Sequence, residues 1–397
     1  AFFDFCDENG IMVWQDFAMG CAVYPQDAEL AQALYREAVS VIHRLRNHAS
    51  LTLWSGDNEV DAFYGWNYFR RDPNQNVLTR EILPRALREH DEVRPYLPSS
   101  PYIDEVAFRE NKPAPEAHLW ADRPPFRSAY YRDSPAHFVS EIGYPGAPSP
   151  ASLRQFISAD QLWPIRRPDG TLQPDWICHG TDMDPETEGP YAFRVGLILT
   201  HVERLFGALP ETLSDFCRAS QISQAEALKF FAEHFRIGKW RRTGLLWWNL
   251  ADGWPQASEA TVDWYGRKKL AYGFLQRSQQ PLLLAFDEPQ DGVLPLCCVS
   301  DGVGETGLQW SVTDVTDGVP LATGSWTVRP DCAEQICRIP APAGQRFLLI
   351  EWRTAYGVCG KNHYSTQDRN LDLQCYLRDL ARAGLDAWEG FDGDEPV

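Results

Sequence analysis

The chain is written in two grammars, and the change between them near residue 280 restricts its fold more than any other feature. Up to about residue 275, short apolar stretches alternate with longer stretches of helical spacing. The strand candidates are "IMVWQDF" (11–17), "LTLWS" (51–55), 94–100, "AHLW" (117–120), "HFVSEIG" (137–143) and "TGLLWWNL" (243–250). Between the first two, residues 27–48 put Leu30, Leu34, Ala38, Val41, Ile42 and Leu45 on one helical face. Further helices are predicted near 192–207 and 223–236. Strands separated by helices or long loops predict parallel βα units, which close as a barrel or form an open doubly wound sheet. No G-x-G-x-x-G follows any of these strands, which disfavours the nucleotide-binding form.

Beyond residue 280 the helical spacing disappears. Six short strands are predicted there, "PLLLAF", "VLPLCCVS", "GLQWSVTDV", "PLATGSWTV", "EQICRIP" and "RFLLIEWRTAYG", with Asp-Gly turns at 301–302 and 317–318. This is the pattern of a small β-sandwich, and the tail "LDLQCYLRDLARAGL" is expected to close it with a loop and a short helix. With 397 residues and 44% hydrophobic content, more than one domain is expected. The expected division is an α/β domain over 1–278 and a β-sandwich over 279–397. At the other end, "FFDFCDENGIMVWQDF" reads as a helix end, a turn at Gly10 and a strand, so the chain is expected to start inside a larger domain.

Charge and cysteine usage exclude several function classes. A formal charge of −18 repels phosphate backbones and anionic lipid, so neither nucleic acid nor a membrane surface is an expected partner. No apolar run approaches the roughly twenty residues of a membrane span. No secretory leader pattern opens the chain, and a cytoplasmic location is the expectation. The ten cysteines are scattered with no C-x-x-C pair, so no metal site and no redox motif is predicted, and no cofactor is implied. Fifteen tryptophans permit a carbohydrate partner, because indole faces suit flat, partly apolar ligands.

Two carboxylates stand where strands end, which in a βα barrel is the rim that carries chemistry. "LTLWSGDNE" runs from an apolar strand to Glu59, and "HFVSEIG" closes on Glu141. One acid kept protonated and one kept ionised can together cleave a glycosidic bond. On position alone, the alternative that both are solvated loop carboxylates stays open.

Five segments, "FFDFCDENGIMVWQDF", "VIHRLRNHASLTLWSGDNE", "RPYLPSSP", "HFVSEIG" and "TGLLWWNLADGWPQASEATVDWYGRKKLAY", together resemble, in the same order, the catalytic barrel of glycoside hydrolase family 2, nearest its β-mannosidase-like branch. The resemblance covers most of residues 1–275, with weaker likeness in "NHYSTQDRNLDL". It implies a (β/α)8 TIM barrel, here lacking its first strands, followed by a small immunoglobulin-like sandwich. The activity implied is that of a retaining exo-β-glycosidase acting on terminal β-linked mannose. Glu59, after Asn58, takes the place of the family's acid/base, and Glu141 that of its nucleophile. Asn58 would meet the sugar 2-hydroxyl, Trp14 and Trp248 would wall the sugar pocket, and Asp252 would reach the rim. His118 and Trp120, in "HLW", would bind the sugar or orient Glu141. "GYPG" after Glu141, "WWNLAD" and Asp57 depart from the family's usual wording and bear on sugar choice. The alternatives are a β-galactosidase or β-glucosaminidase specificity on the same mechanism, and a non-hydrolytic carbohydrate-binding remnant.

Overall fold

The computed structural model describes residues 1–65, 71–120, 124–180 and 194–391. They form two compact units, one of residues 1–118 with 135–140, the other of 119–134 with 141–397. Among the described residues no helix is long and apolar enough to cross a membrane.

In the first unit, β1 (Val13–Asp16), β2 (Leu51–Ser55) and β3 (Tyr96–Leu97) form a parallel sheet in that order. The chain enters β1 through the helix Phe2–Asn9, which stops at Gly10 with φ +67°. Only a residue tolerant of left-handed backbone ends a helix this way at no cost, which is why Gly10 was legible as a turn. Helix Ala28–Leu45 joins β1 to β2, and the Asp27 side chain caps it by accepting the Leu30 N–H. It buries Leu34, Ala38, Ile42 and Leu45 in one cluster with Trp54 of β2 and with Leu78, Leu83 and Leu87. A parallel pair with its crossover helix on one face is the βα unit that the spacing predicted.

Strands β4 (Glu116–Leu119), β5 (Phe138–Ile142) and β6 (Gly244–Trp247) make a second three-stranded sheet, with β5 central. The division between the units falls within β4, after His118, and within β5, after Ser140. All six strands predicted before residue 275 are present, the third shortened to two residues. They lie in two separate three-stranded sheets.

The second unit contains the longest helix, Leu213–Ile237, which starts ten residues before its predicted onset, where Thr212 accepts the Asp215 N–H. After β6, seven strands follow. β7 (Leu282–Phe286), β8 (Val293–Ser300) and β11 (Ala333–Pro340) form one antiparallel sheet, in the order β11, β8, β7. β9 (Thr306–Asp314), β10 (Val319–Val328), β12 (Phe347–Thr354) and β13 (Cys359–Ser365) form the other, in the order β10, β9, β12, β13. The two sheets share one apolar cluster, with Leu284, Leu296, Val312, Leu348 and Ile350 at 0% exposure. Six of these strands match the predicted ones, and β13 is the addition.

Candidate active site

The segment after β2 is bent by the needs of its neighbours. A Cβ on Gly56 would lie 2.2 Å from the Pro98 carbonyl oxygen and 2.5 Å from the Tyr96 hydroxyl, so only glycine fits against β3. Asp57 follows, fully buried, and its Oδ1 accepts the Val60 N–H at 3.1 Å and the Ser99 hydroxyl. It thereby caps the short helix Val60–Gly65. Burial pushes its carboxyl up to about 7, the nearby Asp61 charge adding to this and the Ser99 hydroxyl opposing it. Asn58 resumes the strand direction between Gly20 and Ser100 through backbone bridges.

Glu59 then takes φ +62°, a left-handed conformation that side chains other than glycine rarely adopt. The N–H of Glu59 donates to the Ser100 carbonyl at 2.7 Å. The residue is 6% exposed, and its carboxyl meets two groups. His118 Nδ1 lies 2.8 Å from Oε1, and the Cys21 thiol lies 3.5 Å from Oε2. The Asn58 amide reaches the same sulfur at 3.6 Å. Glu59, Asn58 and His118 are thus brought together in the first unit. The other ring nitrogen of His118, Nε2, lies 3.0 Å from the Ser100 hydroxyl.

In the second unit, Glu141 closes β5 and is 9% exposed. The indole N–H of Trp120 donates to its Oε2 at 2.6 Å. A Cβ on Gly143 would lie 2.5 Å from the Trp120 ring and 2.7 Å from the Trp248 carbonyl. Neither a fused ring nor a backbone carbonyl can yield at that distance, so Gly143 is what lets Trp120 lie beside Glu141. Trp248 follows β6, its N–H donating to the Ile142 carbonyl at 2.7 Å, and it is 47% exposed. An indole that exposed is available to stack on a ligand.

Two expected pocket residues have protein partners of their own. Trp14 donates its indole N–H to Asp16 at 2.8 Å and stacks on Phe138 at 5.9 Å. Asp252 is buried, and its Oδ1 accepts from the Gln256 amide at 2.8 Å and from the Ser258 hydroxyl. Burial raises its carboxyl above the ordinary range, against the attraction of Lys269. Sequence reasoning missed Cys21, Ser100 and Gly143. The signal for Gly143 was present, because a glycine two residues beyond a strand-end acid marks a close approach.

No family model matches the chain. Among curated proteins it is 27% identical over 330 residues to the β-mannosidase of Capra hircus, covering 76% of this chain and 35% of that protein. It is 30% identical over 305 residues to β-mannosidase B of Thermothelomyces thermophilus, covering 71% and 34%. The chain therefore spans about a third of the length of the curated relatives it matches. Among solved structures, the β-D-mannosidase of Dictyoglomus thermophilum matches with a TM-score of 0.77 at 25% identity, over 94% of this chain and 45% of that one. The exo-chitosanase of Amycolatopsis orientalis shares the fold, with a TM-score of 0.67 at 17% identity over 92% and 43%. The ordered motifs, the sequence likenesses and the shared architecture support a glycoside hydrolase family 2, β-mannosidase-like assignment for this chain.

Proposed function

We propose that the protein is a retaining exo-β-glycosidase that removes terminal β-linked mannose, with Glu141 as nucleophile and Glu59 as acid/base. In the first step a Glu141 oxygen bonds to the anomeric carbon while the glycosidic C–O bond breaks, and Glu59 gives its proton to the leaving oxygen. In the second, water bonds to that carbon, Glu59 takes the water's proton, and the bond to Glu141 breaks. The observation that carries the reading is the different setting of the two carboxyls. Glu59 faces a histidine nitrogen and a thiol, groups that can exchange or share a proton. Glu141 accepts the Trp120 indole N–H, a group that can only donate. Asn58 and the exposed face of Trp248 would bind the sugar, and the segment roles of Trp14 and Asp252 fit support of that pocket. The parallel β1–β2–β3 sheet and the likeness to the Dictyoglomus enzyme support a (β/α)8 barrel over 1–278, with an immunoglobulin-like sandwich over 279–397.

A 2-deoxy-2-fluoro-β-mannoside with a good leaving group tests the assignment on the full-length protein. The expected result is loss of activity together with a stable mass increase of one fluorosugar, mapped by peptide digestion to Glu141. Binding without an adduct would favour a non-hydrolytic carbohydrate-binding protein, and an adduct elsewhere would displace Glu141 from its role.

A further inference from the structure

Glu116 is a third carboxylate, on β4 two residues before His118, with its side chain 14% exposed. Its Oε1 accepts the hydroxyls of Ser100, at 2.7 Å, and of Ser140, while its Oε2 accepts the Tyr102 N–H at 3.2 Å. Three donors converging on one carboxyl are satisfied together by its ionised, acceptor-only form. The direction of the next bond follows. The Ser100 hydroxyl has one hydrogen, and that hydrogen is used on Glu116. The contact between Ser100 Oγ and His118 Nε2, at 3.0 Å, must then run from Nε2–H to the serine oxygen.

A neutral imidazole with its hydrogen on Nε2 has a bare Nδ1, and this Nδ1 is 2.8 Å from Glu59 Oε1. The proton in that contact comes from the Glu59 carboxyl. Should the ring be charged, the same proton sits on Nδ1 instead. In both states one proton is held between Nδ1 and Glu59, and the ionised Glu116, 3.9 Å from Nε2, favours holding it. Reversing the Ser100 hydroxyl would put a hydrogen on Nδ1 without any proton on Glu59, and the carboxylate at Glu116 opposes that reversal.

We infer that Glu116, acting through Ser100 and His118, is a positioning residue that keeps a proton available at Glu59 for the acid step. The inference rests on the proposed role of Glu59. During that step the shared proton passes to the leaving oxygen as the glycosidic bond breaks, leaving Glu59 ionised and His118 neutral. In the second step the proton that Glu59 takes from water restores the starting count.

The test is Glu116→Gln in the full-length protein, which removes the charge and puts an amide where the two hydroxyls donate. Two glycosides of one sugar are compared by kcat/KM, which reports the first chemical step. For a disaccharide, whose leaving oxygen needs a proton, a loss of about tenfold or more is expected, a share of the roughly 10²–10⁴ that a positioned acid supplies. For the 2,4-dinitrophenyl glycoside, whose leaving group needs none, kcat/KM should stay within about twofold of wild type. A merely structural residue would lower both equally. Ser100→Ala removes the linking hydroxyl and keeps the charge; it should give the same split, and it carries the test if Glu116→Gln does not fold. Equal losses on both glycosides, or no loss on either, in a folded variant would overturn the inference while leaving the glycosidase reading intact. A wild-type protein inactive on every β-glycoside would overturn both.

Discussion

Asp57 is fully buried immediately before Asn58 and Glu59, and among the described residues one of its oxygens has no hydrogen-bond partner. Its carboxyl is pushed from 3.8 up to about 7, first by burial and then by the Asp61 charge. A raised acid is protonated in the folded state over a range where the unfolded chain is already ionised. Unfolding then releases a proton, so the stability contributed by Asp57 is whole below about pH 4 and is lost as pH rises towards 7. An asparagine side chain in its place would keep the acceptor that takes the Ser99 and Val60 hydrogens and would add no charge. Asp57→Asn should therefore gain on wild type by up to about 1.4 kcal/mol per pH unit between about pH 4 and 7, then hold level. Urea midpoints of both proteins across this range measure it, and a gap independent of pH would refute it. The candidates Glu59 and Glu141 were picked out in the sequence because each lies at or just beyond an apolar strand, beside a distinctive neighbour. The partner of His118 was not, since alternation says which face a residue takes but not what lies across from it. Glu116 resembled an ordinary strand charge for the same reason.

The strands that sequence reasoning found are apolar, and the one it missed is polar. β13 buries Asn362, His363, Tyr364 and Ser365, so no alternation of apolar residues marks it. Its polar groups are matched by acids on the helix Leu213–Ile237. Asn362 donates to Glu233 at 2.8 Å, and His363 Nε2 lies 2.9 Å from Glu226, which also accepts the Tyr376 hydroxyl. Burial pushes the His363 ring down to about 4, outweighing the pull of Glu226, so at neutral pH it is an uncharged N–H donor. Burial opposes the charge of Glu226 too, yet its partners hold the carboxyl down to about 2. With His363 neutral, that charge rests at neutral pH on the N–H and O–H donors and on Lys229. Only the folded chain brings these groups together, which is why the strand could not be read from local pattern. Glu226→Leu leaves two buried donors without an acceptor, each costing about 1–3 kcal/mol, and should lower stability by about 2–6 kcal/mol in denaturant titration. A change within about 0.5 kcal/mol, the range of ordinary surface substitutions, would contradict this account.

For the protein as a whole, the formal charge of −18 and the composition of the site bear on which sugar is accepted. A negative field lowers the local concentration of anionic ligands and leaves neutral sugars unaffected. A glucuronide should accordingly be among the poorest substrates. Between neutral sugars the choice turns on the 2-hydroxyl, axial in mannose and equatorial in glucose and galactose. A site whose polar groups match one orientation leaves them unpaired with the other, and such mismatches cost several kcal/mol. The curated relatives are named β-mannosidases, while the wording after Glu141 and around Asn249 departs from the family's usual pattern, so the panel must include the alternatives. With nitrophenyl β-glycosides and the full-length protein, the mannoside should show the highest kcat/KM by at least about tenfold, a discrimination of about 1.4 kcal/mol. A better galactoside or glucosaminide would leave the two-carboxylate mechanism standing and remove mannose as the substrate. A better glucuronide would further require a cation in the pocket to pair with the sugar carboxylate.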